Sequence, residues 1–327
     1  MSDLNIVWAW PWWTIMVVIN LVNVVICGIV YKRSLISKDG NDPKYRSWMR
    51  IMGVIFTVVG LYRSVFVSKY GPQLAWFDTI ANSALLVRIL AMAAELSFSG
   101  LIAFEMLKFN TYIPPAKNTH QNRFMVFINT KSPYILVICI FVAQFFATGG
   151  VITKSELLFA IEETLWLVGF VSILPLVIFQ LRRVFSIRDK KTAERLNMLR
   201  ISTVIILIWC IIYSIFMVFL NLPGIWADAI NQIETGMPAI KTGLSAIVDA
   251  FLIVNVTRLY SDWGFGFLIW HSGYFTLLIW ISIYLMQAPR PQEDFGKSKN
   301  KSKKIILILI ILSIITLLTI IIIPTVF

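Results

Sequence analysis

Histidine, cysteine and charge are all scarce in this chain. Only His120 and His271 occur among 327 residues. No HExxH pair and no other histidine cluster exists, so an intramembrane zinc hydrolase is not expected. The three cysteines, Cys27, Cys139 and Cys210, sit far apart inside apolar runs. They form neither a CxxC motif nor a zinc spacing, and they read as packing thiols. There is no GxxxxGK[ST] phosphate loop, no Gly-x-Ser-x-Gly elbow and no close aspartate pair for a magnesium–diphosphate site. No metal or cofactor is therefore expected, no catalytic residue is assigned, and the reading leans away from an enzyme without deciding it. Charged residues make up only 14% of the chain while apolar ones reach 58%, which excludes an ordinary soluble domain, where charge is near a quarter.

What is there is hydrophobic length. Mean hydropathy is +0.79, and the apolar runs approach the roughly 20 residues that a helix needs to cross a bilayer. The composition predicts an all-α polytopic integral membrane protein, a bundle of eight or nine hydrophobic helices. Residues 1–287 form the bundle, with helices at about 11–31, 49–67, 76–107, 133–152, 157–180, 201–221, 238–260 and 265–287. A lysine-rich linker, 288–304, leads into a last hydrophobic helix within 305–327. If 238–260 crosses, there are nine spans; if it is re-entrant, there are eight.

The net charge of +12 follows the same logic. Of 29 Lys and Arg, 23 fall in four polar stretches, 32–50, 108–131, 181–200 and 287–304. That is the signature of cytoplasmic loops, which also attract anionic lipid headgroups. The expected partners are thus the bilayer and its anionic headgroups, and a small solute, with no nucleic acid. The membrane itself is not specified. The N-terminus carries Asp3 as its one charge, then Trp8, Trp10, Trp12 and Trp13, a belt suited to the membrane–water interface. It is expected to lie outside. Helix length favours nine spans, whereas the positive linker favours eight.

The third helix is the informative one. It is predicted to carry Asp78, Arg88, Glu95 and Glu105, charges that cost several kcal/mol in lipid and so face protein or water. Arg88 and Glu95, seven residues apart, share a face near the small residues Ala84, Ala91 and Ser99. This helix is expected to be central. Arg88, Glu95, Glu162, Glu163 and Asp249 are the candidate pathway residues for a solute or ion. Arg63, Asp78, Asn82, Gln144 and His271 are candidates for a supporting polar network, with Arg63 pairing to Asp78 across a short loop. Glu105 is expected to snorkel at the inner boundary. These features point to a transporter or channel for a small polar or ionic solute. Alternatives are a seven-helix-like receptor, an enzyme on a lipid-linked substrate, and a structural subunit of a complex.

Overall fold

The computed structural model describes residues 9–36, 42–115 and 123–291. Trp8, His120, most of the lysine-rich linker and the hydrophobic segment after it lie outside the described residues. Among the described residues, seven helices are long and apolar enough to cross a membrane. They are α1 (Trp10–Ile36), α2 (Pro43–Val65), α3 (Ala84–Tyr112), α4 (Arg123–Thr153), α5 (Glu156–Phe185), the continuous rod of α7 (Asn197–Phe216) and α8 (Leu222–Thr235), and α11 (Phe265–Leu285). A π-helical turn, Met217–Asn221, joins the two parts of the rod. The chain is a multi-pass helical membrane protein by this measure.

Two expected spans change. The third helix starts at Ala84, not at residue 76. Ser83 caps it, its hydroxyl accepting from the Leu86 amide at 3.3 Å, the usual role of serine at a helix start. Residues 76–83 are loop and a short 3₁₀ turn. Asn82 anchors that loop, donating to the Val67 carbonyl at 2.6 Å and accepting from the Phe77 amide at 3.1 Å. The segment 238–260 is not one helix either. It holds α9 (Gly243–Leu252), strand β3 (Asn255–Val256) and the first residue of α10 (Tyr260–Trp263). Ten residues at 1.5 Å each rise about 15 Å, half a hydrocarbon core. A single pass through 238–260 is thus lost, and with it the ninth helix. Gly243, at φ +74°, supplies the break before α9. Strand β3 runs parallel to β2 (Leu74–Ala75), which pairs antiparallel with β1 (Ser68–Lys69).

With the seven long apolar helices of the described residues running in alternate directions, the ends sort cleanly. The connections after α1, α3, α5 and α11 share one end. There the Lys108 ammonium pairs with Asp42 at 2.7 Å, Tyr112 donates to Asp42 at 3.0 Å and Tyr284 donates to the Met198 carbonyl at 3.1 Å. The bond from Lys108 holds the Asp42 carboxyl below its ordinary range. This is the basic end. Its arginines also close helix C-termini: Arg183 donates to the Ile113 carbonyl at 2.8 Å, and Arg200 to that of Val184 at 2.9 Å. Between α5 and α7 lies the short α6 (Lys190–Arg195), capped by Asp189. The opposite end holds the small sheet, α9 and α10. There Gln232 of α8 bridges three backbone groups at 2.8 Å each, those of Glu156, Lys154 and Pro238.

The tryptophans near the N-terminus are core as much as belt. Trp12 is buried and donates to Ser272 at 2.9 Å, while Trp13 stacks on the buried Trp76 at 5.7 Å. Of the three described, only Trp10 is exposed, with Arg258 over its ring at 5.1 Å. Buried amides tie α1 inward. Asn20 donates to Ser64 at 2.7 Å, and Asn23 accepts from Trp280 at 2.6 Å.

Close packing of α2 on α11 rests on two glycines. A Cβ at Gly53 would lie 2.7 Å from Cβ and 3.0 Å from Cγ of Met286. A Cβ at Gly60 would meet mainly the swinging Cδ1 of Ile279. Gly53→Val should therefore destabilise by about 1–3 kcal/mol, the usual cost of overpacking, and Gly60→Ala by less. Thermal unfolding in detergent measures both. Equal, negligible costs would show that the two helices do not touch there.

Candidate functional site

The charges of the bundle meet near the upper half of α3. Arg88, on its second turn, is buried at 2% exposure. Its guanidinium donates to both carboxylate oxygens of Glu95, at 2.5 and 3.3 Å. The seven-residue spacing makes this fork possible, since two turns bring Glu95 under Arg88. The same guanidinium reaches Glu162 of α5 at 3.4 Å and the side-chain oxygen of Gln144 of α4. Gln144 is held in turn by a 2.9 Å bond from its amide to the Ile140 carbonyl. One arginine thus binds three helices together.

Arg63, at the end of α2, turns toward this cluster rather than toward Asp78. Its guanidinium lies 4.0 Å from Glu95, over the ring of Phe275 at 4.9 Å. Asp78 sits in the exposed loop before α3, because that loop is not helical. The expected Arg63–Asp78 pair does not form.

Glu162 and Glu163 part company as a helix requires, with adjacent side chains about 100° apart. Glu162 pairs with Arg88. Glu163, half-buried, lies within electrostatic reach of Glu95, Arg88 and Tyr213 but has no cation within ion-pair distance among the described residues. Two guanidiniums thus face three carboxylates. Several polar atoms around them are buried without a partner among the described residues, namely Nε of Arg63, Nε of Arg88 and the hydroxyls of Tyr70 and Tyr274.

Three further candidates fall elsewhere. Asp249 lies on the short α9 at the far end from the basic loops, paired with Lys241 and partly exposed. It forms its own ion pair and does not join the Arg88 cluster. Lys154, in the neighbouring turn, has its ammonium pushed below the ordinary lysine range by burial and then by the charge of Lys241. Asn82 is the loop anchor described above. His271 belongs to an aromatic wedge with Trp12 (5.5 Å) and Phe275 (4.6 Å), and meets the cluster only at its edge, through a hydrogen bond with the Arg63 backbone.

Below the cluster lies a layer of rings. Phe98, Phe170 and Trp209 meet with centroids 6.1–6.4 Å apart, and Tyr213 packs on Phe170 at 4.9 Å. Beneath that layer is a residue whose position the sequence did not reveal. Glu105, expected to snorkel, is fully buried and bonded to Ser202 of α7 at 2.6 Å. Two clefts lie away from all of this. One, of about 180 Å³, is lined by Asp78, Ile80 and Phe251; the other, of about 310 Å³, by Tyr112, Ile187 and Arg195 at the basic end. Among the described residues, no three His, Cys, Asp or Glu side chains converge closely enough to hold a metal ion.

The fold defines the class: a multi-pass helical membrane protein. The chain matches no protein-family model, no curated protein and no solved structure.

Proposed function

We propose that this protein is a transporter or channel for a small cation, the proton foremost, with the Arg88 cluster on its path. The observation that carries the reading is the charge imbalance, two guanidiniums against three glutamates, with no cation in ion-pair range of Glu163 among the described residues. A half-buried carboxylate with no cation in ion-pair range is unfavourable in a low dielectric, and binding a cation removes that cost. The unpartnered polar atoms around the cluster are groups that water or a passing ion would satisfy. Glu95 and Glu162 would hold Arg88 in place, and Glu163 would exchange the ion. Low exposure of Arg88, Glu95 and Glu162 corresponds to an occluded state, open to neither end. The positive-inside bias would then set the basic end toward the cytoplasm and the N-terminus outside.

A second reading is favoured by one observation, the engagement of both terminal nitrogens of Arg88 by three partners. An arginine that ties three helices together would serve a structural subunit of a membrane complex. Reconstitution separates the two. Liposomes containing the purified protein should dissipate a proton or alkali-cation gradient faster than protein-free liposomes. Equal leak rates for every ion tested would leave the structural reading standing.

A further inference from the structure

Glu105 is unusual among the acids of this chain. It is fully buried, and none of the ion pairs among the described residues includes it. Lys108, one turn further along α3, is engaged by Asp42 instead. One Glu105 oxygen lies 2.6 Å from the Ser202 hydroxyl, and the other has no partner. The titratable groups within electrostatic reach are Tyr45 from α2 and Tyr284 from α11, both uncharged in their ordinary form.

The geometry of Ser202 adds a constraint. Its hydroxyl also lies 3.0 Å from the Leu199 carbonyl one turn back. A hydroxyl has a single hydrogen to donate. When that hydrogen goes to Leu199, the contact to Glu105 is a hydrogen bond only if Glu105 carries a proton and donates it to the serine oxygen. When Glu105 is ionised, the serine must turn to face it and leave the carbonyl. The pair is thus a two-position device, set by one proton on one carboxyl.

Its location gives that device a use. Glu105 is seven residues from the end of α3 at Tyr112, about 10 Å along the axis, and ten residues from Glu95, about 15 Å. The Phe98–Phe170–Trp209 layer lies between the two acids. On α7 the residues Ser202, Trp209 and Tyr213 are all buried, at spacings of seven and four that keep them on one helical face. That face runs from Glu105, past the rings, to the surroundings of Glu163.

We propose that Glu105 is a second proton-exchanging site, loaded and unloaded from the basic end, with the aromatic layer separating it from the Arg88 cluster. Its chemistry is simple: the carboxyl O–H breaks as the proton passes to water entering from the basic end, and it re-forms by the reverse transfer. The link to the cluster rests on the transport reading; the proton site itself does not.

Infrared difference spectroscopy of the reconstituted full chain tests it. The wild type should show a carbonyl band of a protonated carboxylic acid that shifts on transfer to D₂O. The band should vanish in Glu105→Gln, persist in Glu163→Gln, and move in frequency in Ser202→Ala, which keeps the acid and removes its partner. A band unchanged in Glu105→Gln, or one that D₂O never shifts, overturns the proposal. Proton flux measured on the same liposomes separates the two claims. Flux should fall about a hundredfold in Glu105→Gln, the usual effect of deleting a positioned proton-transfer group. Full flux in that variant removes Glu105 from the path and leaves the transport reading intact. An exchanging Glu105 band in a wild type without flux removes transport and keeps the proton site.

Discussion

Arg88→Met should lower the stability of the protein by about 3–5 kcal/mol, the cost of removing one partner from a buried ionic network. Methionine is close in length and apolar, so little packing volume is lost. What is lost is the donor for Glu95, Glu162 and Gln144 at once. Two carboxylates would then remain buried, with Arg63 at 4.0 Å from Glu95 as the nearest cation. The double variant Arg88→Met/Glu95→Gln should recover part of the loss, because neutralising Glu95 removes one of the two stranded carboxylates and leaves Glu162. Residues in one network are expected to couple in this way. Arg88→Lys should fall between, since an ammonium is a point charge and cannot fork across both Glu95 oxygens. Chemical unfolding in detergent micelles, followed by tryptophan fluorescence, reads all three. A cost for Arg88→Met below about 1 kcal/mol, the range of exposed pairs, would show that water already screens the cluster.

Much of this cluster was legible in the sequence because its spacing is local. Arg88 and Glu95 are brought together by one helix, and two turns suffice. Gln144 and Glu162 were legible as polar residues in apolar runs, although their convergence on Arg88 depends on how α4 and α5 pack. Where reading failed, hydropathy had concealed a break. Trp76 and Phe77 look like the start of a span, yet Asn82 and Ser83 hold the loop and the cap, and this moves Asp78 out to the surface. The apolar run after Gly243 looks like a membrane helix, yet it ends at Leu252, and Asp249 emerges beside Lys241. Arg63 was assigned the acid nearest in sequence and instead meets Glu95. Glu105 failed for another reason. Hydropathy gives depth along a helix but not which face meets protein, and its partner Ser202 lies 97 residues away. Helix existence is a local property; the choice among carboxylates for a given arginine is a tertiary one.

Glu163→Gln should separate stability from function most sharply. Its carboxylate is the one member of the cluster without a cation in ion-pair range among the described residues. Removing its charge leaves two guanidiniums facing two carboxylates, so folding should be unaffected or improved, because a half-buried charge with no cation in ion-pair range is unfavourable. Ion flux, however, should fall about a hundredfold if Glu163 is the exchanging group. The adjacent Glu162→Gln is the control. It exchanges a charged acceptor of Arg88 for a neutral one, at a stability cost of about 1 kcal/mol, the scale of one weakened hydrogen bond. A structural subunit would behave differently. Its three glutamates would all serve cohesion, and Glu163→Gln would destabilise at least as much as Glu162→Gln. The order of the two unfolding midpoints therefore distinguishes a core built to hold an ion from one built to hold helices, even before any solute has been identified.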